Sequence, residues 1–411
     1  MLWSADLGGV RAGAGAPVRI IAAINLSPES FYKGSVAKTP REALEKAELM
    51  ASEGADIIDL GAMSTAPYLR TWVSEREEAS RLIPAVKLIS SHLQIPISVD
   101  THRYGVAKQA LEAGADILND VSGLSDVRLA KLVASEGASL ILGARGSVDM
   151  GRDPIPQLRR LLSTSLEKAI SEGVEEGKVA VDPLIGFFRG GERPWHEWDV
   201  EVLRGLYRIK VLGRPVCVGV SRKSFIGAIL GLDRPEDRLY GSIAAAAVAV
   251  YCGADVVRTH DVRETLHAVR VAEAIRGSLK AVKAGSVECY VLPPLLEGDA
   301  LELFTRIGCH PVGSTIMSRK ARHYILLLKG VSSPVANVLK QEMLAAGGEA
   351  AIPAVALVGG RQLHDVVVMG TRSQLERVVE KLKLNAKYAE TLSGDFTQLA
   401  EAIEKAAELK R

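Results

Sequence analysis

Three phrases in this chain repeat one design: GADIIDLGA at Gly54, AGADILNDVSG at Ala113 and CGADVVRTHD at Cys252. In each, a helical stretch ends, Gly-Ala-Asp turns the chain, and a buried β-branched run follows. From about Val18 to Arg276 short apolar runs of this kind alternate with longer amphipathic segments, which predicts parallel strands joined by crossover helices. The strands read as Arg19–Ile24, Asp56–Leu60, Ile97–Val99, Ile117–Asn119, Leu140–Leu142, Val179–Val181, Val216–Val220 and Asp255–Arg258. A helix is expected after each, and two after the seventh. Eight such units predict an α/β fold closed into a (β/α)8 TIM barrel rather than an open sheet.

The chain has 411 residues, more than one hydrophobic core usually spans, so a second, smaller domain is expected. Residues 1–17 read as an N-terminal extension and 18–278 as the barrel. Around Ser278–Ser286 a short Lys/Gly/Ser/Ala joint interrupts the rhythm, which puts a linker at 279–286. Residues 287–411 read as a compact α+β domain. Its expected strands are Val287–Leu292, Tyr324–Leu328, Ala354–Val358 and Val366–Met369, and its expected helices Gly298–Ile307, Pro334–Ala346, Arg372–Leu382 and Asp395–Leu409.

Composition narrows the class. Apolar residues at 47% and charged residues at 24% are ordinary for a globular protein, which speaks against disorder and against a disulfide scaffold. The net charge of +2 comes without a dense basic block, so nucleic acid is not an expected partner. The four cysteines, Cys217, Cys252, Cys289 and Cys309, form no CxxC pair, which fits a reducing cytoplasm. The longest apolar stretch, around Ile243–Tyr251, is far short of a membrane span, and no signal-peptide pattern opens the chain. A soluble cytoplasmic protein is expected.

In a closed parallel barrel the active site forms at the C-terminal strand ends. Here those ends are polar: Asn25, Asp100, Asn119 and Asp182 end strands one, three, four and six. Ser221-Arg222-Lys223-Ser224 follows strand seven, and strand eight yields Arg258 and His260. Any one of these residues alone is more simply a helix cap or turn residue, but their occurrence on six strands points to one polar mouth. Asp100 and Asp182 are either a general acid and base or acceptors for an amidine-like edge, such as a pterin presents. Lys223 opens a helix, where its ammonium and the free N–H groups suit an acceptor or an anion such as an aryl carboxylate. Arg258 and His260 stand where barrels commonly hold phosphate, although Arg258 can also be read as half of a surface ion pair. Asn25 can lend an oxygen to a Mg²⁺ otherwise held by diphosphate and water.

The motifs INLSPESF, GADIIDLGAMSTAP, ISVDTHRYGVAKQALEAGADILNDVSG and VDPLIGF, followed by VGVSRKSFIG, GSIAAAA and GADVVRTHD, run in order from about Ile20 to Ile275. Together they resemble the dihydropteroate synthase family. The resemblance implies a transferase that joins hydroxymethyl-dihydropterin diphosphate to p-aminobenzoate with loss of pyrophosphate. It further implies that Asp100, Asn119, Asp182 and Lys223 hold the pterin, and that Asn25, Arg258 and His260 take the diphosphate with Mg²⁺. Ser224, with Ser64, Thr65 and Pro67, would meet the arylamine. Asp100, Lys223 and Asn25 are the catalytic residues on this view. Diphosphate would depart first, leaving a pterin methylene cation that Asp100 stabilises across the conjugated ring. The residue-level reading agrees except at Lys223, which it aims at an anion.

The chain departs from the family pattern in its loops. The aspartate of SDGG gives way to Lys33 in Ser30-Phe31-Tyr32-Lys33-Gly34-Ser35, and STRPG becomes Ser64-Thr65-Ala66-Pro67-Tyr68, which removes an arginine near the acceptor. Leu142-Gly143-Ala144-Arg145-Gly146 replaces a methionine-histidine-methionine run, and Arg189 stands for a lysine. One expectation is a larger acceptor, such as a ribosyl-phosphate arylamine of a methanopterin-type route, with Lys33, Arg70 or Arg145 on the phosphate. The competing expectation is loop variation with no change of acceptor.

The C-terminal segment from GCHPVGSTIMSRKARHYILLLKG to DVVVMGTRSQLERVVEKLK resembles an accessory domain that some bacterial dihydropteroate synthases carry before the barrel. Oligomer contact or cover for the barrel mouth is its expected role. A symmetric homodimer is expected. Two rival functions share the fold: a pterin-dependent methyltransferase, which has no need of SRKS or RTHD, and a non-catalytic pterin-binding barrel, against which Asn25, Arg258 and His260 argue.

Overall fold

The computed structural model describes residues 4–30, 32–64, 73–191, 193–277, 281–284, 287–290, 295–358, 362–389 and 392–407. Contacts divide it into two compact units, Met1–Val291 and Leu292–Arg411.

The first unit opens with a hairpin, β1 (Ser4–Leu7) and β2 (Val10–Gly13). Then follow β3 (Arg19–Asn25), α1 (Pro40–Ser52), β4 (Ile57–Gly61), α2 (Glu75–His92), β5 (Ile97–Asp100), α3 (Tyr104–Glu112) and β6 (Ile117–Asp120). The series continues with α4 (Arg128–Glu136), β7 (Ser139–Gly143), α5 (Pro154–Ser171), β8 (Val179–Asp182), α6 (Trp195–Arg204), α7 (Leu206–Ile209) and β9 (Cys217–Gly219). It ends with α8 (Ser224–Leu230), α9 (Leu239–Tyr251), β10 (Val256–Thr259) and α10 (Val262–Arg276). The eight strands β3 to β10 pair in parallel in the order β8-β7-β6-β5-β4-β3-β10-β9. A parallel bridge from Val181 to Val216 joins the two ends of that order, so the sheet closes into a barrel, the (β/α)8 form expected from the sequence.

Small side chains make room inside. Ala23, Gly61, Gly143, Ala180 and Gly219 lie on barrel strands between the polar residues, so the C-terminal half of the interior holds few bulky groups. The N-terminal half is filled instead. Leu7 and Ala12 of the leading hairpin pack, fully buried, on Ile21, Ile57, Ile117, Ile141, Cys217 and Val256. Gly8 turns the hairpin at φ +64°, its N–H donating to Ser139 Oγ at 3.1 Å. A Cβ there would lie 2.9 Å from Pro96 Cβ. What reads in sequence as an extension is therefore the floor of the barrel. The sixth barrel strand, like the seventh, is followed by two helices, because Gly205 divides α6 from α7.

The segment expected as a linker carries β11 (Ala281–Ala284), antiparallel to β12 (Val287–Tyr290). In the second unit come α11 (Glu297–Arg306), α12 (Pro311–Ala321), β13 (His323–Ser332), α13 (Ser333–Ala345), β14 (Glu349–Ala351), β15 (Leu363–Thr371), α14 (Arg372–Tyr388) and α15 (Ser393–Ala406). The sheet β13-β15-β14 is antiparallel, and its core joins Val366 and Val368 to Leu339 and Met343 of α13, Leu375 and Leu382 of α14, and Phe396 of α15. One expectation is corrected here, and one helix was not foreseen. Ala354–Val358 is a 3-10 helix, not a strand, because Pro353 starts a tight turn that Ala356 N closes at 3.0 Å and Asn337 Nδ2 holds through Ala356 O at 2.7 Å. Helix α12, with Pro at its start, has no clear apolar stripe to announce it.

Candidate active site at the barrel mouth

The strand ends do what a parallel barrel requires of them. Asn25, Ser64, Asp100, Asn119, Asp182, Lys223, Arg258 and His260 border one cavity at the C-terminal mouth. Thr65 and Pro67, with Ala66, Tyr68 and Arg70, lie outside the described residues. Ser224 stands next to this cavity, its Oγ accepting from Arg189 Nη2 at 2.8 Å.

Asp100 and Asn119 are register neighbours on β5 and β6, and both are buried. Burial pushes the Asp100 carboxyl up to about 7, against the pull of Arg258 and with the push of Asp59. Its Oδ1 is buried and has no hydrogen-bond partner among the described residues. Across the mouth Asp182 Oδ1 accepts from Leu184 N at 2.7 Å; burial raises this carboxyl to about 6, while that N–H and the Lys223 and Arg258 charges pull the other way. The mouth thus holds two carboxylates that ionise near neutrality.

Lys223 enters this acidic floor from an uncommon turn. Arg222 takes φ 59°, a left-handed conformation that costs a branched or long side chain energy. Asp261 holds its guanidinium at 2.6 and 2.8 Å, the carbonyls of Pro235 and Glu236 accept from it at 3.2 and 2.6 Å, and Tyr32 lies against its face at 4.6 Å. Lys223 then reaches over the Phe187 ring, Nζ 4.5 Å from its centre. Gly186, at φ +88°, leaves the space: a Cβ there would sit 3.0 Å from Lys223 Cδ. Burial lowers the ammonium to about 8, and Asp182 opposes this.

On β10, the strand beside β9, Arg258 donates from Nε to Asp59 Oδ2 at 2.7 Å and stands 3.4 Å from Asp100 Oδ2 through Nη2. This is a buried ion pair inside the barrel, not the surface pair the sequence left open. His260 Nδ1 lies 3.1 Å from Ser221 Oγ and its ring meets Tyr32 edge-on at 5.5 Å. Burial, with Arg258, Lys223 and Arg222 nearby, pushes this imidazole down to about 3, so it is a neutral hydrogen-bonding group. Asn25 ends β3 beside it, Nδ2 donating to Ser35 Oγ at 2.6 Å, so Oδ1 is the atom it can offer a ligand.

Sequence reasoning placed Ser221 and Arg222 at the mouth without a role, and passed over Asp59, Tyr32 and the pairing of Arg222 with Asp261. A signal existed for Asp59: a carboxylate in the middle of the buried run IIDLG must be neutralised from within the barrel. Of the residues expected to meet a phosphate, Lys33 is exposed with Nζ on Pro28 O at 2.6 Å, and Arg145 is exposed after β7. In the barrel order β3 and β7 have three strands between them on either side, so these two cations stand on opposite rims.

A profile of the pterin binding enzyme family matches residues 21–260. The dihydropteroate synthase of Synechocystis sp. is 38% identical over 265 residues, covering 62% of this chain and 89% of that protein. That of Bacillus subtilis is 35% identical over 257 residues, covering 62% and 88%. Among solved structures, the Xanthomonas albilineans dihydropteroate synthase with 4-aminobenzoic acid has a TM-score of 0.59 and 31% identity, covering 67% of this chain and 99% of that one. The profile spans more than half of the chain, from the second residue of β3's apolar run to His260 at the mouth, and the chain belongs to the family of pterin binding enzymes.

Proposed function

We propose that the protein is a dihydropteroate synthase-type transferase of folate biosynthesis: it condenses hydroxymethyl-dihydropterin diphosphate with an arylamine and releases pyrophosphate. The observation that carries this reading is the pairing, within one cavity, of two carboxyls and an amide (Asp100, Asp182, Asn119) with a wall of cations and donors (Lys223, Arg258, His260, Asn25). A pterin diphosphate has the complementary halves: a flat ring with an N–H edge, and a dianionic tail.

In this scheme Asp182 accepts from the amidine-like edge of the ring, Asn119 and Lys223 meet its remaining polar atoms, and Asp100 lies along the conjugated system. The C–O bond to diphosphate breaks, the methylene carbon is left cationic, and the Asp100 carboxylate stabilises that charge through the ring. The arylamine nitrogen then forms the C–N bond and releases one proton. Arg258 and the neutral His260 hold the departing diphosphate. Ser224, with Arg189 at its back, takes the acceptor's carboxylate, Ser64 borders the same cavity, and Thr65 and Pro67 keep the arylamine-binding role expected of them from the sequence.

The chain's donor set fits Mg²⁺ bound largely through substrate. Among the described residues no group of three or more His, Cys, Asp or Glu is arranged to hold a metal. A single amide oxygen, Asn25 Oδ1, beside the diphosphate subsite matches an ion that keeps its waters and takes most ligands from phosphate. Bound there, Mg²⁺ would offset charge on the diphosphate oxygens.

The acceptor is p-aminobenzoate or a larger arylamine. Lys33 and Arg145 favour the larger one only singly, since opposite rims cannot share one phosphate. The test is pyrophosphate release from the pterin diphosphate with Mg²⁺, with p-aminobenzoate or a ribosyl-phosphate arylamine as acceptor and Lys223→Ala as control. Release with p-aminobenzoate is expected of a folate-route enzyme, and release with the larger amine alone assigns a modified-pterin route. Absence of release with both overturns the reading. No helix among the described residues is long and apolar enough to cross a membrane. We take the working form to be a cytoplasmic homodimer.

A further inference from the structure

Asp59 is a buried carboxylate to which the scheme above gives no task. It stands in the middle of β4, fully buried, one pleat below the mouth. Its counter-charge arrives from two strands away. Arg258 starts on β10 and crosses β3, where Ala23, in register with Asp59, leaves room for the guanidinium. Nε and Nη2 then lie 2.7 and 2.6 Å from the same oxygen, Asp59 Oδ2. The same Nη2 is 3.4 Å from Asp100 Oδ2. One guanidinium therefore stands between two carboxylates and gives its short bonds to the deeper one. Asp100 keeps its other oxygen buried and without a hydrogen-bond partner among the described residues.

We propose that Asp59 is a positioning residue that reserves Asp100 for the substrate: by holding the Arg258 charge inside the barrel, it keeps the Asp100 carboxylate from being neutralised by that arginine. The inference rests on the pterin-transfer reading. Its physical content is a competition. A buried carboxylate takes the nearest cation it can reach, and a charge-assisted pair closes to about 2.8 Å. Without Asp59, a shift of roughly half an ångström moves Nη2 into such a bond with Asp100. Asp100 is then spent: its lone pairs go to the arginine instead of the ring's N–H donors, and its charge no longer answers a cation developing on the ligand.

The experiment titrates a dihydropterin lacking the diphosphate, by fluorescence, against wild type, Asp59→Asn, Arg258→Met and the double variant, at several pH values. Asp59→Asn is expected to weaken binding by about tenfold and to move the Asp100 ionisation to lower pH. Adding Arg258→Met is expected to restore most of that loss, because the competitor is gone. A merely structural role for Asp59 predicts no such rescue. If Asp59→Asn binds as wild type does, or if the double variant binds more weakly than the single one, the proposal is overturned. Should Asp59→Asn fail to fold, Arg258→Met and the double variant decide: equal affinity is expected, and a further loss of about tenfold overturns it. A wild type that binds no pterin would sink the functional reading itself, an outcome distinct from the others.

Discussion

At the scale of the residue, the mouth of the barrel trades stability for readiness. Lys223 is an ammonium inside a buried site, lowered to about 8 from an ordinary 10.5 mainly by burial. Below pH 8 it is charged whether the chain is folded or not, and the folded state bears the full cost. Between about 8 and 10.5 the unfolded chain binds more protons than the native one, so this residue makes stability rise with pH across that window. Lys223→Met is expected to melt higher than wild type at pH 7, by on the order of 2 kcal/mol, and to lose the rise above pH 8 while pyrophosphate release collapses. Denaturant melts at pH 7 and pH 10 decide it: a variant less stable than wild type at pH 7 would show that Asp182 already repays the burial. The residues that carry the site were legible because they stand at or just past strand ends. Asp59 was passed over because it lies in mid-strand, where a reader looking at strand ends does not look.

At the scale of the element, two short pieces matter more than their length suggests. The turn at Arg222 exists because Asp261, Tyr32 and two carbonyls hold a side chain whose backbone is in the left-handed region. Asp261→Asn loosens that turn and with it the aim of Lys223. The expected result is a drop of roughly 10- to 100-fold in turnover, with Tm nearly unchanged; unaltered turnover would mean that Gly186 and Phe187 suffice to place the lysine. The leading hairpin is the second piece. Leu7→Ala removes a fully buried side chain from the barrel floor and is expected to cost about 2–5 kcal/mol in chemical denaturation. The barrel strands were legible to within a residue or two, since Gly-Ala-Asp turns and β-branched runs mark them locally. The floor was not, because Ser4–Leu7 and Val10–Gly13 are too short to carry a period and acquire their meaning from residues more than a hundred positions away.

At the scale of the whole molecule, the chain is two units with separate cores, one around the barrel strands and one around Val366, Val368 and the helices α13 to α15. A core of its own is what lets a domain fold alone. A chain ending at Val291 is therefore expected to fold and to release pyrophosphate within several-fold of the full-length rate, as size-exclusion chromatography and a turnover assay would show. Aggregation of that shortened chain would refute it. The second unit was read less accurately than the first. Its strands and helices follow no repeat, so one local feature, Pro353 before Ala354–Val358, was enough to turn an expected strand into a 3-10 helix.

The sealed floor also governs traffic. A vessel with one opening must be loaded and emptied through the same neck, and the group that sits deepest must go in first and come out last. On the proposed assignment Arg258, Asp100 and Asp182 stand on the strands and Ser224 at the start of the helix beyond them, so a pterin would have to pass the acceptor's seat on its way down. An arylamine that arrives early is then a stopper rather than a reactant, and at high concentration it should slow the enzyme by keeping the pterin outside.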